Sequence, residues 1–231
     1  MEQPIKTSFK YWTKQKLANA FGLKMQLESP VLDDWLRQAD NYSLTPEEDA
    51  VIQRLQLKAK QYLDSWNEAE LRERLLVHLL DLVDFELIEY NCNWYAERQL
   101  TVKVNNYILN GYVDWMVATG VLEPEIPYFF IHEYKKEEGA DPSIHTEGRG
   151  QLLAMMFAAQ QLSGMENEPI YGLYVLGRFW FFFVLVGKEY SVADSFDISK
   201  LNDIREVVQL LKAQRQLIID RASLVNAAVE D

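Results

Sequence analysis

Tyr128-Phe129-Phe130-Ile131-His132-Glu133-Tyr134-Lys135-Lys136 is an aromatic and aliphatic run that ends in an acid and a base two positions apart. It reads as a buried strand, in which either charge alone would be costly to desolvate. Alternation along a strand puts Phe129, Ile131, Glu133 and Lys135 on one face and Phe130, His132, Tyr134 and Lys136 on the other. Upstream, Gly111-Tyr-Val-Asp114-Trp-Met-Val-Ala carries a single acid among apolar residues, which calls for a cationic neighbour. If the two segments are adjacent strands, Asp114 and Glu133 offer hard oxygen ligands to one Mg²⁺ ion, with Lys135 beside it. The same three residues also fit a structural ion pair at strand ends.

Outward from this pair of strands the pattern alternates between helix and sheet. Asn67 to Val83 carries Leu71, Leu75, Leu76, Leu79, Leu80 and Val83 at helical spacing,. On a regular wheel Glu73 lies at the edge of that stripe and Glu70 outside it, so Glu73 either enters a half-buried site or pairs with a surface base. Strands are expected over Leu100 to Leu109 and through Asp114, joined at Asn110-Gly111, a strong hairpin signal. After Glu133 a polar loop to Gly148 leads into a buried helix from Gly150 to Leu162, with Gln151 in its first turn. Strands at Pro169 to Leu176 and Phe179 to Val186 follow, then an amphipathic helix from Ile198 to Ala228. Before all of these, residues 1–65 read as a helical N-terminal extension packed on the core, with Thr45-Pro46-Glu47-Glu48 opening its best-marked helix. Residues 66–231 form the main domain, so the fold class is mixed α/β.

The bulk properties narrow the function. A chain of 231 residues, 48% hydrophobic and 25% charged, is ordinary for a folded domain and argues against disorder,. The net charge of −12 repels polyanions and weighs against a protein that grips nucleic acid by its phosphates,. A positive groove would require Lys135, Lys136, Arg149, Arg178 and Lys188 to converge. The single cysteine, Cys92, excludes an internal disulfide or a thiolate cage and fits a reducing cytoplasm,. The N-terminus has no signal-peptide core, and Phe179 to Val186 is far shorter than the about 20 residues a membrane-spanning helix needs. A cytoplasmic protein without membrane association is expected. His132 falls opposite Glu133 and reads as a core histidine, while His78 and His145 lack metal-ligand spacing. Phe179-Trp180-Phe181-Phe182-Phe183 reads as core rather than as a base-stacking platform.

The order of helix with Glu73, strand, strand with Asp114, strand with Glu133-x-Lys135, helix with Gly150-Gln151, and strand resembles the αβββαβ restriction-endonuclease-like core of the PD-(D/E)xK nuclease superfamily. Val113 stands where that pattern often has proline. Tyr11-Trp12, Trp66-Asn-Glu-Ala-Glu-Leu-Arg-Glu and Gly177-Arg-Phe-Trp also look like a bacterial group of this type. The resemblance implies a metal-dependent nuclease acting on nucleic acid, DNA foremost. Asp114 and Glu133 would ligate Mg²⁺ or Mn²⁺, and Lys135 would orient water or stabilise charge on the phosphate. Glu73 would add a ligand and Gln151 would position the metal's water or the nucleic-acid backbone. The alternative is a catalytically silent protein of the same fold, acting as a protein-binding or regulatory module; a homodimer or a protein partner is an expectation of either reading.

Overall fold

The structure is a computed structural model; it describes residues 3–135 and 142–230, with side chains described except at 142–147 and 226–230. Lys136 and the side chain of His145 therefore lie outside the described residues. In chain order the elements are β1 (Ile5–Ser8), α1 (Lys14–Phe21), β2 (Lys24–Met25), α2 (Pro30–Ala39), α3 (Pro46–Tyr62) and α4 (Glu68–Leu71). A π-helical turn, Arg72–Leu76, links α4 to α5 (Val77–Asp81). Then come β3 (Cys92–Val104), β4 (Tyr107–Thr119), β5 (Glu125–Lys135), α6 (Pro142–Ser163), β6 (Ile170–Leu176), β7 (Phe179–Val186), β8 (Glu189–Val192), β9 (Phe196–Asp197) and α7 (Leu201–Glu230).

The nine strands form one mixed sheet in the order β1-β4-β5-β6-β7-β8-β2, with β3 on β4 and β9 on β7. β5 and β6 are parallel and joined across α6, as a crossover connection requires,. Both faces are covered, which is why the central strands are apolar throughout. One face buries Trp35, Leu75, Leu79, Phe130, Leu173, Phe182 and Val208 under α2, α5 and α7. The other buries Phe9, Trp12, Phe21, Ile131, Met155, Met156, Tyr174 and Phe183 under α1 and α6. On the first face the Trp35 indole donates to Leu210 O at 2.9 Å, so its polar edge is satisfied in an apolar setting,. No helix among the described residues is long and apolar enough to cross a membrane.

Residues 3–65 contribute strands as well as helices. β1 runs parallel to β4 and β2 parallel to β8, so this segment completes the sheet at two places. Thr45 caps α3 as its sequence suggests, accepting from Glu48 N while the Glu48 carboxylate accepts from Thr45 N,.

Two sequence expectations are corrected here. The β3–β4 turn falls at Asn105-Asn106, not Asn110-Gly111: Val104 pairs with Tyr107, and Asn105 takes a left-handed φ of 53° that asparagine tolerates,. Gly111 lies inside β4 because the Phe9 ring packs on it; a Cβ there would sit 2.7 Å from Phe9 Cδ2. The strict alternation along β5 also fails. Val117 pairs with Phe130 and Ala118 with Tyr128, which leaves Phe129 as the extra residue of a bulge,. Phe129 thus joins Phe130 in the α2–α7 cluster, while Ile131 faces α6.

The changeover that matters most is on β4. Its β3 edge is paired almost throughout, whereas the opposite edge bonds β1 over Tyr107 to Asn110 and β5 over Trp115 to Thr119. Positions 111 to 114 stand in the fork between β1 and β5. Because the Phe9 ring holds β1 against that fork, Gly111→Ala is expected to destabilise the protein by about 1–3 kcal/mol, the usual cost of overpacking. Urea melts check this, and the double variant Gly111→Ala/Phe9→Leu should lose less than the sum of the single changes.

Candidate functional site

Asp114 lies at the upper end of the fork. Extending the Trp115–His132 pairing by one residue sets Asp114 across from Glu133, but the ladder has opened there. The Asp114 carboxylate takes over the role of a strand carbonyl, accepting from Tyr134 N at 3.1 Å. Glu133 shares its face with Ile131 and with its β6 partner Tyr174, and it is fully buried at 0% exposure. Lys135 reaches back so that its Nζ lies 2.5 Å from Glu133 Oε1 and 3.4 Å from Glu68 Oε1. The Lys135–Glu133 contact is an ion pair rather than an aligned hydrogen bond, and neither Glu133 oxygen has a hydrogen-bond partner among the described residues.

Three carboxylates therefore surround one ammonium, a local surplus of negative charge of which Glu133 is the fully buried member. Burial, then repulsion from Asp114, pushes the Glu133 carboxyl up to about 8 against the pull of Lys135. Burial also raises Asp114, although Lys135 and the Tyr134 N–H oppose it. Burial works against the charge of Lys135, but Glu133, Asp114 and Glu68 outweigh it and raise the lysine above its usual value. An anionic Glu133 and a protonated one are alternatives, so these shifts describe one shared proton. The directions consistent with the geometry are a lysine that stays charged and a Glu133 carboxyl that favours its protonated form,.

The residues singled out from the sequence do not all meet here. Asp114, Glu133 and Lys135 do. Glu73 does not: it points to solvent and lies 4.0 Å from Arg72 Nη2. The helical wheel assumed unbroken α-helix, but the chain enters a π turn at Arg72, which changes the angular step,. The helix acid at the cluster is instead Glu68, the first residue of α4, just after the Asn67 cap. The sequence signal for it was present, since an N-cap asparagine fixes which side chains leave the first turn.

Gln151 is buried, but α6 starts at Pro142, so it stands in the helix interior rather than in the first turn. No hydrogen bond among the described residues ties it to the acids or to Lys135. Arg178 leaves the turn beside Lys135 and pairs with Asp64 at 2.7 Å, whereas Lys188 lies at the far end of β7. Arg178 and Lys188 therefore do not converge on one groove with Lys135. His132 is the core residue its position suggests. It packs against Trp115 and Phe130 with ring centroids 4.3 and 4.2 Å away, and burial holds its pKa well below 6.5.

Two further features adjoin the cluster. Tyr174, whose buried hydroxyl has no hydrogen-bond partner, packs so tightly under Gly148 that a Cβ at 148 would strike its ring. On the other side, a cavity of about 510 Å³ is bounded by Arg72, Asp114, Trp94, Trp115, His132 and Tyr134. Asp114 thus faces open space although Glu133 does not. Arg72 is held there by Tyr134 Oη at 3.4 Å and by Glu97 at 3.1 Å.

Among the described residues no three His, Cys, Asp or Glu side chains are grouped as a ready metal cage. Two carboxylates still suit Mg²⁺ or Mn²⁺, because such ions keep several waters and take further oxygens from a phosphate substrate. The unpartnered Glu133 oxygens and the exposed side of Asp114 have the chemistry such an ion takes, and these two residues would hold it,.

No family model and no curated protein sequence matches the chain. Among solved structures, a chain in a cryo-EM structure of a DrdV–DNA complex is similar over 72% of this chain and 14% of its own length, at 13% identity and a TM-score of 0.38. At that level of similarity nothing about the reaction follows.

A carboxyl whose folded pKa exceeds its unfolded value binds its proton more tightly in the fold. Its contribution is full below the ordinary value of 4.5 and is lost as pH rises through about 8,. Glu133→Gln is therefore expected to melt higher than the metal-free wild type at pH 8.5, by roughly 4 °C or more at about 2–4 °C per kcal/mol. At pH 5 the two should coincide. Thermal melts in a chelating buffer at both pH values check this.

Proposed function

We propose that the protein is a metal-dependent nuclease that hydrolyses phosphodiester bonds, of DNA foremost, at the Asp114–Glu133–Lys135 cluster. The observation that carries this reading is the convergence of one fully buried carboxylate, one half-buried carboxylate and one ammonium at an opened strand pair, with Asp114 facing a cavity. In the reaction a water adds to phosphorus, the bond to the leaving oxygen breaks, and a proton passes from the water to solvent while the leaving oxygen gains one. Mg²⁺ or Mn²⁺ held by Asp114 and Glu133 would supply positive charge against the phosphate and acidify a water.

The chain's own residues have separable tasks. Asp114, fixed by the Tyr134 N–H, presents an oxygen in a set direction without reorganising,. Glu133 supplies a second, desolvated oxygen. Lys135 stays charged and lies where it can orient the attacking water or hydrogen-bond a non-bridging phosphate oxygen. Glu68 steadies the ammonium from the outer side and acts as a positioning residue.

The net charge of −12 favours a second reading, a silent member of the same architecture that binds another protein,. Incubation of DNA and RNA with Mg²⁺ or Mn²⁺ separates the two. Cleavage that falls by at least about 100-fold in Asp114→Asn and Lys135→Ala supports the nuclease, a loss typical of removing groups that stabilise transition-state charge. Glu68→Gln should cost roughly three- to tenfold and Glu73→Ala nothing measurable. Absence of Mn²⁺ binding together with no cleavage of any nucleic acid supports the silent protein.

A further inference from the structure

The chain is acidic as a whole, yet between Gln3 and Leu27 it holds five lysines, Lys6, Lys10, Lys14, Lys16 and Lys24, and no Asp or Glu. None of the five forms an ion pair with a carboxylate among the described residues. This segment supplies β1 and α1, and α1 packs on α6, the helix that covers the Glu133 face. The contact is a close one. Gly150 approaches the Trp12–Thr13 backbone so nearly that a Cβ would lie 2.7 Å from Thr13 Cα. Lys14 follows that contact on α1, and Arg149 precedes it on α6.

Two cations are thus set beside each other, both half-buried and neither with an acid partner among the described residues. Burial and then the Arg149 charge lower the pKa of Lys14, and burial lowers that of Arg149. The Arg149 Nε is buried without a hydrogen-bond partner. Its guanidinium lies 4.0 Å over the Phe181 ring, which fixes its plane, and Phe181 stacks on Tyr174 at 6.0 Å,. Tyr174 is the β6 neighbour of Glu133 and lies within the electrostatic field of Lys135, Glu133 and Arg149. A continuous path therefore runs from the candidate active site to the cation pair. Elsewhere in this molecule bases meet acids, as Arg205 meets Asp49 and Arg221 meets Glu168. A pair of neighbouring cations, one of them held in plane over a ring, lacks only an anion.

We infer that Lys14 and Arg149 together hold a backbone phosphate of bound nucleic acid, one that flanks the phosphate at the Asp114–Glu133–Lys135 cluster. The inference rests on the nuclease reading for the identity of its ligand. It also reconciles an acidic protein with a polyanionic substrate: the α1 side attracts the backbone, and the acidic remainder of the surface confines contact to that side. Arg supplies directed donors from a fixed plane, and Lys supplies a charge on a flexible stem at the first position of α1,.

The test measures fluorescence anisotropy of labelled duplex DNA and single-stranded RNA with the full chain in a chelating buffer, over a range of salt. Lys14→Gln is expected to bind roughly three- to tenfold more weakly than wild type. The slope of log affinity against log salt should shrink by about 1, as for loss of one phosphate contact. Lys14→Arg and Arg149→Lys, which keep the charge, should keep the slope. Thermal melts confirm that each variant is folded, and Lys14→Gln, half-exposed and outside the core, is the variant on which the inference stands.

Cleavage assays on the same preparations separate the two proposals. Wild-type cleavage with unchanged affinity and slope in Lys14→Gln overturns the cation-pair site and leaves the nuclease reading intact. Binding that weakens in Lys14→Gln without any wild-type cleavage supports the phosphate site and overturns the nuclease. A wild-type protein that binds neither DNA nor RNA overturns both.

Discussion

Three carboxylates around one ammonium, at a place where a sheet opens, form the constraint on which the rest of this molecule turns. Glu133 has no exposure, so its charge cannot be relieved by water, and Lys135 can balance only one of the acids that face it. Such a cluster is tolerable in a fold only if something else carries the remaining charge, and in the free protein a proton on Glu133 does so,. The fold is built to keep the cluster in this state. Packed side chains fill both faces of the sheet, so Glu133 cannot swing out to solvent,.

The opening of the sheet follows from the N-terminal segment. β1 takes one half of the β4 edge and β5 the other, and the interval between them frees Asp114 to accept from the β5 backbone at Tyr134. The same segment carries the acid-free run of lysines, so the residues that shape the fork also place positive charge beside it. Fold and electrostatics thus have a common source in a stretch whose own pattern shows neither catalytic groups nor strong periodicity.

What was legible in the sequence was local and chemical. The run into Glu133-x-Lys135, the single acid at 114 and the core assignment of His132 could each be read from burial costs and strand alternation. What was not legible depended on partners distant in the chain. Asn110-Gly111 has the composition of a turn, but the glycine answers to the Phe9 ring, about 100 positions earlier in the short helical turn that follows β1,. Phe129 leaves the expected face because of a bulge set by the register of β4 against β5, which no pattern within β5 encodes. Glu73 was placed by an ideal wheel that a π turn interrupts, and Glu68, near the helix start, took the position instead. A distant ring overrode the turn signal, the register against a neighbouring strand set the bulge, and a π turn reset the phase of the helix.

The central proposal is that a divalent cation bound at Asp114 and Glu133 displaces the proton that burial favours on Glu133. Calorimetric titration of the metal-free protein with Mn²⁺ at pH 7, repeated in buffers of different ionisation enthalpy, counts that proton directly. Release of about one proton per ion bound, abolished in Glu133→Gln, is the result expected from a buried carboxyl raised to about 8. Binding with no proton release, or binding that survives unchanged in Glu133→Gln, would contradict it.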